Sequence, residues 1–284
     1  MLLDKVKKLH QFDRYLYWVG ERELVRWNKE EHQPKPWTND PILQNYRFCN
    51  VVRMEDKVSR WLLQNWYEPN TKVELILRLV ACGLARFINK PSSLEVIGFP
   101  TKWEPEVWKE KLRKHRDEGN TIFNSAYMVR GNNGIDKIEC VIDYYVKSLY
   151  ELRNWYHPGS MKSTWENILE SFGMGSFMAG QVVADFYWYH RGWKDAKVWS
   201  PMGPGSRRGM NRLMGREVKY PVRQSRFEKE LAALIEQATP KLSSLLTNRM
   251  LGIDWQNTLC EFDKYERVLW GEGRPKSNYA GAYE

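Results

Sequence analysis

Arg207 and Arg208 stand side by side behind a run of small and bent residues, Gly203-Pro204-Gly205-Ser206, and ahead of Gly209-Met210-Asn211-Arg212. Glycine frees the backbone, proline bends it, and two guanidinium forks follow at a helix start. The stretch Gly203–Gly209 therefore reads as a loop able to clasp phosphate. Gly203, Gly205 and Ser206 would form a nest of donors, Asn211 would add another, and Arg207 and Arg208 would supply charge. A basic surface loop has the same composition, and the pattern alone does not separate the two. No GxxxxGK[ST] stretch occurs in the chain, which argues against a nucleotide-driven kinase.

A second cluster, Leu259-Cys260-Glu261-Phe262-Asp263-Lys264-Tyr265-Glu266-Arg267, precedes Gly271-Glu272-Gly273-Arg274-Pro275-Lys276. Glu261 and Asp263 are candidate proton acceptors; Lys264, Arg274 and Lys276 are candidate phosphate cations. A solvated helix laced with ion pairs fits equally well. Arg47 and Arg53, six residues apart, are weaker phosphate candidates.

A third cluster is Ser171-Phe172-Gly173-Met174-Gly175-Ser176-Phe177-Met178-Ala179-Gly180-Gln181. Two glycines one residue apart follow an amphipathic run (Trp165, Ile168, Leu169, Phe172). A second helical run (Ala179, Val182, Val183, Phe186) then begins. This spacing reads as a helix–hairpin–helix whose second helix opens with N–H groups fit for an anion. Gly173, Met174, Gly175, Ser176 and Gln181 are the candidate DNA contacts. The plain alternative is two helices joined by a glycine turn.

These segments need a frame, and 284 residues supply one large core or two smaller ones. Forty-four Lys and Arg against 35 Asp and Glu leave a net charge of +9, which favours a polyanionic partner. Helical periodicity dominates. Val73 to Phe87 is almost wholly apolar and belongs at the centre. Trp103 to His115 is amphipathic with a basic end. Asp136 opens a helix with Ile138, Val141, Ile142, Tyr145 and Leu149 on its face, and another runs from about Gln224 to Leu246. Asn45 to Gln64 reads as a helix pair or one long helix. Thr121 to Val129 is the one candidate strand, and it reads as a helix as well.

The expected fold is mainly α. Residues 1–40 would form a helical and extended arm, 41–274 a helical domain with the hairpin at 166–190, and 275–284 a tail. Cys49, Cys82, Cys140 and Cys260 make no CxxC pair, and the five histidines lack metal-ligand spacing, so no metal or other cofactor is expected. With no apolar run near 18 residues, no membrane contact is expected and a cytoplasmic location is.

The segments GMGSFMAGQVVADF, GPGSRRGMNRLMGR and LCEFDKYER with GEGRPK together resemble the phage enzymes of thymine hypermodification. These are the α-glutamyl/putrescinyl-thymine pyrophosphorylases, or amino acid:DNA transferases. Their helical domain is shared with the 5-hydroxymethyluracil DNA kinases and is distantly similar to helix–hairpin–helix DNA glycosylases. The resemblance spans roughly residues 40–280 and implies a glycosylase-like helical fold. It implies double-stranded DNA whose uracil carries a pyrophosphorylated 5-methylene, with an amino acid or polyamine as co-substrate. Pyrophosphate would leave as the amine bonds to carbon. Arg207 and Arg208 would meet the departing charge, with Lys264, Arg274, Lys276, Arg47 and Arg53 around them. Glu261, Asp263 or Asp185 would take the amine proton. Trp188, Tyr187 or Trp199 would hold the base outside the stack. The chemistry admits a divalent metal, but no acidic cluster calls for one. A glycosylase is the alternative, with Asp195 as its carboxylate; a non-catalytic DNA-binding module is another.

Overall fold

The computed structural model describes residues 2–124 and 134–275. Among these, eight α-helices reach eight residues or more. They are α1 (Gln11–Glu30), α2 (Leu75–Ile88), α3 (Pro105–Asp117), α4 (Met161–Ile168), α5 (Ser176–Phe186), α6 (Pro204–Leu213), α7 (Gln224–Ala238) and α8 (Gly252–Leu269). No strand occurs among the described residues, and no helix there is long and apolar enough to cross a membrane. Residues 121–124 form no strand; 125–129 of that expected strand, and the tail from 276, lie outside the described residues.

The chain divides into two compact units, one of Met1–Asp56 with Lys197–Glu284 and one of Lys57–Ala196. In the first, Tyr15 and Trp18 of α1 share one buried core with Phe262 and Tyr265 of α8, Met210 of α6 and Phe227 and Leu231 of α7. The Tyr15 ring meets Phe262 edge-on at 5.4 Å, and its hydroxyl lies 2.6 Å from that of Thr258. Within the first 40 residues, expected as a helical and extended arm, α1 is a core helix, because it buries Tyr15, Trp18, Val19 and Val25 together with paired arginines.

Phe48–Val52 is non-helical, so residues 45–64, expected as a helix pair or one long helix, hold only a short turn at Arg53–Glu55 and a helix that begins at Lys57. The backbone groups of Phe48–Val52 find partners on distant side chains. The Arg22 guanidinium donates to the carbonyls of Phe48 and Cys49, while Glu261 accepts the Cys49 N–H and Asp56 that of Asn50. A backbone satisfied in this way has no need of a helical ladder. Similarly, α7 ends at Ala238 rather than near Leu246, because Pro240 cannot continue it.

The second unit is built on α2, which is buried on nearly every side, as its apolar run predicts. Helix α5 packs across it, and a helical segment over 137–151 completes the face, with a wider π-turn at Cys140–Val146. Asp136 caps that segment by accepting the Ile138 N–H at 2.8 Å.

Candidate functional site

Helices α6 and α8 approach so closely that side chains cannot fit between them. A Cβ on Gly209 would stand 1.9 Å from the Leu259 carbonyl oxygen, and one on Gly205 2.2 Å from the Cys260 sulfur. The two glycines are four residues apart and share one helix face. The run Gly203–Gly209, expected as a loop, is helical from Pro204, where proline suits the first turn. Gly203 caps it, donating its N–H to the Ser206 hydroxyl at 2.9 Å, and Gln256 of α8 donates to the same oxygen. Asn211 is fully buried and donates to the carbonyls of Val218 and Tyr220. The structure therefore uses Gly203, Gly205, Ser206 and Asn211 to join helices and pin a loop.

Beside this seam the same two helices gather arginines around one carboxylate. Asp263 is 0% exposed. The Nε atoms of Arg208 and Arg212 each lie 2.8 Å from one of its oxygens, and Arg267 Nε lies 3.6 Å away. Arg212 also pairs with Glu272. Arg208 and Arg212 are one turn apart on α6, as Asp263 and Arg267 are on α8, so both pairs face the junction. A buried carboxylate requires such cations, and in return fixes the direction of their forks. The Arg208 and Arg267 side chains remain 36% and 33% exposed, whereas Arg212 is 7% exposed. Nε of Arg207 and Nε of Arg267 are buried with no hydrogen-bond partner among the described residues. Three guanidiniums stand against Asp263 and Glu272, leaving a local excess of one positive charge, while Arg207, about 100° around α6 from Arg208, makes no contact with either carboxylate. That excess is what a multiply charged anion needs.

Glu261 points elsewhere, since two residues along a helix amount to about 200° of rotation. It pairs with Lys264 at 2.6 Å and accepts the Cys49 N–H at 3.0 Å. Its charge, with burial second, pushes the Cys49 thiol well above the ordinary range. Burial, then Glu261, pushes Cys260 up to about 11. Burial opposes the charge on Lys264, but Glu261 and Cys49 outweigh it, and the ammonium is held above its usual value. Asp254, at the start of α8, accepts the N–H groups of Leu251 and Arg53, and burial raises its carboxyl to about 6. Arg53 is buried in this corner, while Arg47 and Arg274 are exposed; Lys276 lies outside the described residues.

The other sequence candidates belong chiefly to the second unit. Asp185 is buried, accepting from the Tyr67 hydroxyl at 2.6 Å and from two nitrogens of Arg86. Its carboxylate holds α5 to α2. Asp195 accepts from the Ser160 hydroxyl and the N–H groups of Met161 and Lys162, closing the start of α4. The glycine turn joins α4 to α5. Gly173 has a φ of +78°, a value glycine adopts readily, and Gly175 caps α5 with nothing within 4 Å of where a Cβ would stand. Met174 and Gln181 are buried. Arg191 sits 5.1 Å above the ring of Trp188. In the first unit, Trp199 is buried and donates to Glu228. Among the described residues no group of His, Cys, Asp and Glu is arranged to hold a metal ion.

Arg212 and Arg267 join the site although sequence reasoning does not select them. The available signal is spacing: Arg208 with Arg212 and Asp263 with Arg267, each at i and i+4.

Residues 9–274 match the family described as 5-hmdU DNA kinase, helical domain. The 5-hmdU DNA kinase of Bacillus phage SP10 is 29% identical over 238 residues, which is 70% of this chain and 35% of that protein. The chain thus spans about a third of the length of that relative. No solved structure matches. The matched region contains α6, α8 and every arginine around Asp263, and on that ground the chain belongs to the family of 5-hmdU DNA kinase helical domains.

Proposed function

We propose that this protein acts in thymine hypermodification of phage DNA, replacing pyrophosphate by an amine on the 5-methylene of a modified uracil. The observation that carries this reading is the arginine set around buried Asp263. The amine nitrogen attacks the methylene carbon, the carbon–oxygen bond to pyrophosphate breaks, and pyrophosphate keeps the electron pair. Arg208 and Arg267 meet the charge that grows on the leaving oxygens, in directions set by Asp263, and Arg207, next to Arg208 on α6, is the further candidate. A fixed cation acts where charge develops, so its effect falls on turnover more than on substrate binding. The amine nitrogen gives up one proton as it bonds, and Glu261, beside Lys264, is the candidate acceptor. Asp263 is a weaker choice because its oxygens already face three guanidiniums.

The glycine turn between α4 and α5 is read as a helix–hairpin–helix of the glycosylase-like type, set beside the DNA backbone. The target base leaves the stack to reach the site, and the protein works in the cytoplasm of the infected host. The relative's name favours a second reading, in which the same cationic site serves phosphorylation of 5-hydroxymethyluracil. Incubating the protein with pyrophosphorylated DNA and an amine, then digesting to nucleosides for mass spectrometry, tests the first reading. An amine-bearing thymidine analogue is the expected product. A phosphorylated nucleoside, formed only from unmodified 5-hydroxymethyluracil DNA and a nucleoside triphosphate, would replace it with the second.

A further inference from the structure

Phe172 sits on the turn between α4 and α5 and is 60% exposed. A large ring left in water at a turn needs a reason, since burying a phenylalanine is worth about 1.5–3 kcal/mol. Its surroundings are specific. The ring stacks on Tyr145 at 5.9 Å between centroids and 22° between planes. Tyr145 in turn stacks on buried Phe87 at 5.2 Å and 22°. Three rings therefore form a chain of stacked pairs that starts in the core of the second unit and ends at the exposed Phe172, beside which Tyr144 lies tilted at 6.3 Å and 48°.

The tip is held in place. The Phe172 N–H donates to the Ser148 hydroxyl at 2.6 Å. Gly173 lies so close to the stack that a Cβ there would stand 2.1 Å from the Tyr145 ring. Exposure is thus maintained by the fold, because the turn cannot swing the ring inward without losing these contacts. A ring stack that ends in a 60% exposed phenylalanine is complementary to another flat ring, and less so to an aliphatic side chain.

We infer that Phe172 is a stacking platform for a nucleobase, one made accessible at an unpaired or kinked step of the DNA. The inference rests on the reading that DNA is the substrate, and is supported by the net charge of +9 and the family match. It gives the hairpin tip an apolar contact with a base in addition to a backbone contact with phosphate. Base–aromatic stacking of this kind accounts for roughly 5- to 100-fold in affinity when the ring is removed.

The test uses a duplex carrying 2-aminopurine at a mismatch, excited beyond the absorption of tryptophan. Wild type should bind and quench the fluorescence by stacking. Phe172→Ala and Phe172→Leu should both lose the quench and bind roughly 5- to 100-fold more weakly, with an unchanged salt slope because no phosphate contact is lost. Phe172→Trp should restore both. Melting temperature checks that each variant is folded, which an exposed position allows. Leucine equal to wild type in affinity and quench would overturn the platform while leaving DNA binding intact. A wild type that binds no DNA would overturn the platform and the DNA reading together.

Discussion

Replacing Gly209 by alanine should destabilise the first unit, against the expectation from helix propensity. Inside a helix alanine is favoured over glycine by about 1 kcal/mol, so propensity predicts a gain. Packing predicts the reverse. The new Cβ would lie 1.9 Å from the Leu259 oxygen and 2.6 Å from its carbonyl carbon, both backbone atoms of α8. Ordinary carbon contacts are about 3.5 Å or more, so the helices must separate by on the order of 1 Å at a point where no side chain can rotate away. Overpacking commonly costs about 1–3 kcal/mol, and a backbone obstacle puts this case at the upper end, about 3. Net of propensity, the loss is about 2 kcal/mol, or roughly 4–8 °C in Tm for a chain of this size. Gly175→Ala is the control: its Cβ meets nothing within 4 Å, and the change should stay under about 1 kcal/mol. Urea and thermal unfolding of both variants measure the difference. A Gly209→Ala variant as stable as wild type, or more so, would refute the close seam and return the glycines to a phosphate nest.

Three further outcomes follow from the site. Arg208→Ala should lower single-turnover rate at saturating DNA by on the order of a hundredfold while DNA affinity changes little, and Arg208→Lys should recover only part; equal rates would remove Arg208 from the chemistry. Asp254 has its carboxyl raised to about 6 by burial, so the folded state keeps a proton that the unfolded state releases near its ordinary value of about 4. Stability should therefore rise as pH falls from 7 to 5, by an amount on the order of 1 kcal/mol from this group, and Asp254→Asn should remove that part of the pH dependence; identical pH slopes would contradict it. Glu261→Gln removes the charge that most raises the Cys49 thiol, so alkylation of Cys49 at pH 8 should speed up several-fold, with an unchanged rate as the opposing result.

The sequence made the helices legible wherever one face was continuous. The apolar run at Val73–Phe87 and the capped segment from Asp136 both stand where periodicity puts them. Pairings across long separations were not legible. Nothing local marks Arg208 for Asp263, 55 residues away, or Arg22 for the carbonyls of the non-helical run Phe48–Val52. The glycines of GPGSRRG illustrate the same limit, because a phosphate nest and a close helix crossing call for the same residues. Only the position of Leu259 and Cys260 separates the two. Asp185 and Asp195 show it for carboxylates: an acidic residue intended for catalysis and one intended to close a helix look alike until their partners are known.

Amine-dependent release of pyrophosphate from DNA tests the central claim most directly. With DNA carrying pyrophosphorylated 5-hydroxymethyluracil and a suitable amine, the protein should release one pyrophosphate for each amine-bearing base formed. Arg207→Ala and Arg208→Ala should slow that release on the order of a hundredfold. No release by wild type across a set of amino acids and polyamines, or release in which no amine is incorporated, would contradict the account.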